Sequence, residues 1–186
     1  QLEQYYYFTQ KNKGDALGEL INNINPKKAI IFCRTKHESH HVYKAIKEKK
    51  IGVVLINGDM SQKQRDRSLG KFKEKNTKII VATDLLSRGI HVEKIDYILN
   101  YNVPKTRETY FHRIGRTARI DSRGKAITLI SERDRVGFYR LREKLKCKVD
   151  PFEGSNNIDE KLNKWKSTDK REKFNKRRKD EKKRRH

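Results

Sequence analysis

Eight consecutive residues, His112-Arg113-Ile114-Gly115-Arg116-Thr117-Ala118-Arg119, carry the most chemistry in this chain. Arg113, Arg116 and Arg119 recur at every third position, so on a helix they would lie close to one face. Guanidiniums that close repel one another and call for an anion. Phosphoryl transfer offers one, because charge spread over γ-phosphate oxygens is stabilised by arginines reaching in from a neighbouring element. A solvated basic helix would show the same spacing, and on this stretch alone both readings stand.

Two further clusters have a similar character. In Ala82-Thr83-Asp84-Leu85-Leu86-Ser87-Arg88-Gly89-Ile90 a hydroxyl and a carboxylate follow an apolar run, and an Arg-Gly pair comes one helical turn later. In Gly58-Asp59-Met60-Ser61-Gln62-Lys63-Gln64-Arg65 a glycine allows close backbone approach, while an amide and a guanidinium can reach phosphate oxygens. The plainer reading of this cluster is a strand-to-helix turn with a capped helix start. His37, His40 and His41 have no Cys or carboxylate cluster beside them, so they read as surface helix residues and no metal site is expected.

These clusters need a scaffold, and composition bounds it. The chain has 186 residues, a formal charge of +23 and a pI near 10.1; 33% of residues are hydrophobic and 38% charged. That excess of cations points to a polyanionic partner, nucleic acid before acidic membrane surface. No apolar run reaches the roughly 18 residues of a membrane span, and no signal sequence opens the chain. Cys33 and Cys147 sit in apolar or helical stretches and read as reduced residues of a cytoplasmic protein. With Gln1 first and Met60 the lone methionine, the sequence is expected to be part of a longer product.

Charge divides the chain in two. Residues 155–186 hold 14 Lys/Arg against 6 Asp/Glu, with Ile158, Leu162, Trp165 and Phe174 the only large apolar side chains. Such a tail cannot bury enough surface to offset its ordering entropy, so disorder or a marginal helix is expected there. Residues 1–154 have the periodicity of a folded domain. Strands are predicted at Tyr5–Phe8, Ala29–Cys33, Val53–Ile56, Lys78–Ala82, Tyr97–Tyr101 and Ala126–Ile130, several as continuous apolar runs suited to parallel strands buried on both faces. Tyr5–Tyr7 reads as an aromatic edge strand, with base stacking as the alternative.

Helical patterns fill the gaps. Thr35-x-x-Glu38, Ser61-x-x-Gln64 and Ser131-x-x-Asp134 resemble capping boxes, and Phe138, Leu141 and Leu145 recur at the spacing of a helix packed on a sheet. Alternation of strand and helix predicts an α/β fold with a doubly wound, mostly parallel sheet and helices on both faces. Ligands of such sheets sit at the carboxyl ends of the strands. Here those ends are Arg34-Thr35-Lys36, Asn57-Gly58-Asp59, Thr83-Asp84 and Asn102-Val103-Pro104.

In order and spacing, residues 1–150 resemble the second, RecA-like lobe of the DEAD-box RNA helicases in helicase superfamily two. Ala29–Lys36 resembles that family's motif IV, Gly58–Arg65 its glycine-acid and Gln-x-x-Arg element, and Val81–Ile90 its motif V. Tyr101–Pro104 is similar to its Asn-Tyr-Asp-x-Pro spacer, and His112–Arg119 to motif VI. The resemblance implies that Thr35, Gly58, Gln62, Arg65 and Thr83 contact RNA phosphates and sugars without reading sequence. It implies that Arg116 and Arg119 are arginine fingers, and that Arg88, Gly89, His91 and His112 belong to the ATP and lobe interface. ATP and Mg2+ would be held mainly by an N-terminal lobe of the same protein. This chain has no Gly-x-x-x-x-Gly-Lys-Ser/Thr loop and no Asp-Glu-Ala-Asp, so by itself it is expected not to hydrolyse ATP.

Departures from the family pattern are few. His91 stands where Asp usually contacts the ATP ribose, and an imidazole brings no fixed negative charge. Asn57 replaces a common His, Asn102 a common Asp, and Ala118 a Gly. Ala118 and the Lys/Asn/Ile-rich usage lean toward a bacterial cold-shock or ribosome-assembly helicase. The reading is therefore a helicase lobe that binds RNA backbone, completes an ATPase and remodels duplexes or RNA–protein particles. A non-catalytic RNA-binding or annealing module is the alternative, and His91 is its foothold. The tail is read as an added arm for structured RNA or ribosomal particles, against a merely solubilising extension. Trp165 would either anchor the tail on the domain or stack on RNA.

Overall fold

The computed structural model describes residues 2–84, 92, 94–117, 124–156 and 158. Seven strands form one sheet: β1 (Leu2–Phe8), β2 (Ala29–Cys33), β3 (Val53–Ile56), β4 (Ile79–Thr83), β5 (Tyr97–Asn100), β6 (Gly124–Ile130) and β7 (Asp150–Pro151). Among the described residues five α-helices connect them: α1 (Lys13–Ile24), α2 (Lys36–Glu48), α3 (Gln62–Lys73), α4 (Arg107–Ile114) and α5 (Arg135–Leu145). The strand order is β3-β4-β2-β5-β6-β1-β7, and every pairing is parallel. The doubly wound sheet expected from the alternation of elements is therefore parallel throughout.

Continuous apolar runs become the central strands because both faces of the sheet are covered. β2 and β4 are buried at every position. On one face Ala29, Ile31 and Cys33 pack with Ile79 and Val81, beneath Leu17, Leu20 and Ile21 of α1 and Val42 and Ile46 of α2. On the other face Tyr6 meets Phe138 of α5, with ring centroids 5.5 Å apart. Phe138, Leu141 and Leu145 are all buried, as their helical spacing predicts. Burial pushes the Cys33 thiol up to about 12, so it behaves as a small hydrophobe. Neither Cys33 nor the half-buried Cys147 is in a disulfide.

One strand sits differently from its prediction. The Tyr5–Tyr7 segment is not an edge: β1 lies between β6 and β7, with Tyr5 opposite Asp150 and Tyr6 opposite Pro151. The Phe152 amide donates to the Tyr6 carbonyl at 2.8 Å, and the Phe8 amide to Ser155 Oγ at 2.9 Å. Two residues of strand are too short to leave a periodic signal, so β7 was invisible to pattern reading.

The helix starts follow their sequence signals. Glu38 N donates to Thr35 Oγ1 at 3.1 Å, and Ser61 N donates to Gln64 Oε1 at 2.8 Å, within two complete capping boxes. The third, at Ser131, closes a 3-10 turn over Glu132–Asp134 that leads into α5. Asp134 Oδ2 accepts from Ser131 N at 3.0 Å and from Ser131 Oγ at 2.7 Å, and it also pairs with Lys13 Nζ at 2.7 Å. This carboxylate thereby ties α1 to the exit of β6. Among the described residues no helix is long and apolar enough to cross a membrane.

Burial pushes the Asp134 carboxyl up, but bonds and charge from Lys13, together with Ser131, outweigh it and hold the group below its ordinary 3.8. A depressed folded-state value contributes stability that is present above about pH 4 and is lost as pH falls through it. Urea midpoints measured across the acid range are expected to fall less steeply in Asp134→Asn than in the parent. Parallel acid limbs would show that this carboxylate does not set the slope.

Candidate nucleic-acid interface

The carboxyl ends of β2, β3 and β4 open onto a cleft of about 410 Å³. Arg34, Thr35, Lys36, Gly58, Asp59, Thr83 and Asp84 line it. Three of the sequence-predicted backbone-contacting residues, Thr35, Gly58 and Thr83, are thus brought together from segments far apart in the chain. Thr35 is fixed as the N-cap of α2 and Thr83 as the buried last residue of β4. Lys36 Nζ reaches across the cleft to Asp59 Oδ1 at 2.5 Å. That ion pair is exposed on both sides, so it is weak and exchangeable.

Gln62 and Arg65 do not line this cleft. They lie on the first turn of α3, just past Gly58-Asp59, where Gln62 Nε2 donates to Asp66 Oδ1 at 2.9 Å. Arg65 Nε is buried without a hydrogen-bond partner. The turn before α3 is held by Asn57, whose Oδ1 accepts from Asp59 N at 3.1 Å and whose Nδ2 lies 3.2 Å from His40 Nε2. His37, His40 and His41 are all exposed on α2.

Below the cleft sits a residue that spacing alone misjudged. Arg113 is 1% exposed, and its anion is a carboxylate of the same chain. Its Nε donates to Asp84 Oδ1 at 2.5 Å and its Nη2 to Asp84 Oδ2 at 2.7 Å, a bidentate fork. Its Nη1 donates to Asn100 Oδ1 at 3.2 Å and to the Asn102 carbonyl at 3.0 Å. The guanidinium also lies 5.5 Å from the Phe32 ring centroid. One side chain therefore joins α4 to the ends of β4, β5 and β2.

The network continues into the cleft wall. Asn102 Oδ1 accepts from Arg34 N at 2.8 Å, and its Nδ2 donates to Glu38 Oε1 at 2.9 Å. An aspartate here would put a second carboxylate against Glu38, so the amide suits this particular wall.

Of the arginines in His112–Arg119, Arg113 and Arg116 do not share a helix face. α4 ends at Ile114, and Gly115 caps it. Arg116 stands half-buried in the turn that follows, its amide donating to the Arg113 carbonyl at 3.3 Å. Thr117 anchors the far side of that turn, buried, with its hydroxyl donating to the Ile95 carbonyl. A Cβ on Gly124 would come within 2.0 Å of Thr117 Oγ1, so glycine is required where β6 passes this turn. Arg116 is thus held between two buried anchors. His112 is exposed on the last turn of α4, and it is Arg113 beside it that makes the cross-sheet bonds. Sequence reading missed Thr117 and Gly124 because their roles depend on one another across the sheet. Arg88, Gly89, His91 and Arg119 lie outside the described residues.

A parallel sheet whose strand ends carry a Thr/Gly/Thr cleft, backed by motif-VI arginines, matches known proteins. The helicase conserved C-terminal domain family matches residues 12–121. The chain belongs to this family, as a DEAD-box C-terminal lobe. Among curated relatives, the DEAD-box ATP-dependent RNA helicase RhpA of Helicobacter pylori is 32% identical over 151 residues, 81% of this chain and 31% of that protein. The chain thus spans about a third of the relative's length. Among solved structures, E. coli SrmB bound to regulator of ribonuclease activity A superposes with a TM-score of 0.77 at 27% identity, over 86% of this chain and 93% of that one. S. cerevisiae Dbp5 bound to RNA and ADP BeF3 gives 0.72 at 27% identity, over 81% and 41%.

The lobe's internal ion pair is asymmetric: the Arg113 side chain is 2% exposed and the Asp84 side chain 37%. Asp84→Ala strands a buried guanidinium and should cost about 3–5 kcal/mol. Arg113→Met leaves a carboxylate that water can reach and should cost less. Denaturant unfolding of both variants orders them; a larger loss in Arg113→Met would contradict the burial argument.

Proposed function

We propose that this lobe works as the second half of an ATP-dependent RNA helicase. The cleft at the strand ends takes the backbone of one RNA strand. Arg116 and Arg119 reach toward the γ-phosphate of ATP held with Mg2+ on an N-terminal lobe of the same protein. One observation carries the reading: the network of Arg113 runs without a break from the turn bearing Arg116 to the wall bearing Arg34 and Thr35. A shift of that turn on ATP binding or hydrolysis would therefore be felt in the cleft, and RNA seating in the cleft would be felt at the turn.

Recognition in the cleft is independent of sequence. Hydroxyls, cations and a glycine meet phosphate and sugar, and among the described residues no base-reading amide pair lines the wall. The relatives support RNA as the polymer, since RhpA is named an RNA helicase and Dbp5 was captured with RNA and ADP BeF3. Closing of two lobes over ATP and one bent strand would melt a short duplex, and phosphate release would reopen them. The reduced Cys33 and Cys147 suit action in the cytoplasm. The domain ends near residue 154, and the basic tail over 155–186 adds sequence-independent RNA affinity, with ribosomal particles as one class of target.

Two measurements test this. Arg116→Ala, made in the protein that carries both lobes, should lower ATP turnover by roughly 10³-fold or more while RNA binding by this lobe is retained. Unchanged turnover would reject the finger assignment. Removing residues 155–186 should weaken RNA binding and flatten its dependence on salt, by about 0.7 in logarithmic slope for each lost phosphate contact. An unaltered slope would leave the tail without an RNA role.

A further inference from the structure

Beside the cleft a second and larger groove of about 740 Å³ opens at the carboxyl ends of β2, β5 and β6, and Arg34 lines both. Six basic residues line the groove against two carboxylates. Both carboxylates are already engaged: Asp134 by Lys13 and Ser131, and Glu38 by Thr35 and Asn102. Arg34, Lys105, Arg133, Arg140 and Lys144 are exposed, and none forms an ion pair with another described residue. Cations gathered along one concavity focus a positive field that draws an outside anion.

The wall formed by α5 has the shape of a backbone track. Gly137, Arg140 and Lys144 recur at helical spacing along it, a span of about 10 Å at 1.5 Å per residue. A Cβ on Gly137 would meet nothing within 4 Å, so packing does not demand a glycine there. In the first turn of α5 that glycine gains nothing in helix propensity over alanine. What it provides is a bare stretch of helix surface against which a phosphate backbone can lie closely. Tyr101, the aromatic side chain in the lining, is half-buried and has Lys13 Nζ 5.2 Å from its ring centroid, which leaves no open platform for base stacking.

We propose that this groove carries the RNA strand onward from the cleft, with Arg133, Arg140 and Lys144 holding its phosphates and Arg34 bridging the two sites. The inference rests on the RNA reading of the cleft. It commits to a strand because the cations are spread along a helix and continuous with the cleft, which a compact polyphosphate would not require.

The test uses the 186-residue chain and two oligouridylates, one short enough to fill the cleft alone and one several times longer. Fluorescence anisotropy is recorded across a salt series. The triple variant Arg133→Gln/Arg140→Gln/Lys144→Gln, all at exposed positions, is expected to lose roughly tenfold to hundredfold affinity for the long strand. Its logarithmic salt slope should fall by about two. The short strand should bind as before. Gly137→Leu should weaken the long strand alone, without lowering the melting temperature. An unchanged long-strand slope overturns the groove, and an equal loss on both strands overturns it in favour of a diffuse surface field. If inositol hexakisphosphate binds the parent chain and not the triple variant while long-strand binding is equal in both, the occupant is a free polyphosphate and the proposal falls. Thr35→Ala/Lys36→Gln, both lining the cleft, serves as the separate check on it. If that variant binds the short strand as tightly as the parent, the cleft reading fails, and the groove is still judged by the long-strand slope of the triple variant.

Discussion

A buried guanidinium cannot be left without an anion, and Arg113 organises this lobe around that constraint. Desolvating a charge of this kind is tolerable only when geometry and hydrogen bonding are close to complete. Arg113 meets the condition with a forked pair to Asp84, an amide oxygen from Asn100, a carbonyl from Asn102 and the face of Phe32. The partners come from the ends of three strands, β4, β5 and β2. Satisfying one side chain therefore fixes the relative positions of four segments.

That fixation has a functional shape. The segment after α4 is pinned at Arg113 and again at Thr117, so Arg116 between them is held in a defined turn. Preorganised charge is what electrostatic stabilisation of a developing phosphoryl transition state needs, because no reorganisation is then required when the reaction occurs. The same bonds reach Asn102 and through it the Arg34 amide and Glu38, which caps the helix beginning at Thr35. A rigid, fully bonded network is a physical means by which a change at one end can bias the other, given two arrangements of the lobes.

Surface charge follows a different logic from the buried network. Arg113 is spent inside the fold, whereas the Arg34, Arg140 and Lys144 side chains remain at the rim of the strand ends, with no ion pair to another described residue. Cations of the second kind supply affinity that is long-range and screened by salt. The division explains how a chain of charge +23 can have an ordinary apolar core. Its carboxylates at helix starts and strand ends, Asp84 and Asp134 among them, are consumed by local structure, and the outward charge is left positive.

Much of the fold was legible in the residues. β2 and β3 begin and end where their β-branched runs do, and the capping boxes at Thr35 and Ser61 start α2 and α3 as their spacing predicts. Those signals are local: periodicity over a few residues and hydrogen bonds between positions three apart. The strand-end segments and the motif order were local as well, and they sufficed to point to a phosphate-binding lobe. Tertiary structure decided what local signals do not encode. It covered β1 with a two-residue strand, sent Arg113 inward to Asp84 instead of outward to phosphate, and left Arg116 in a turn rather than on the helix. Each of these depends on contacts between residues tens of positions apart. A spacing of three describes a helix face only while the helix lasts, and here the chain's long-range hydrogen bonds set where it stops.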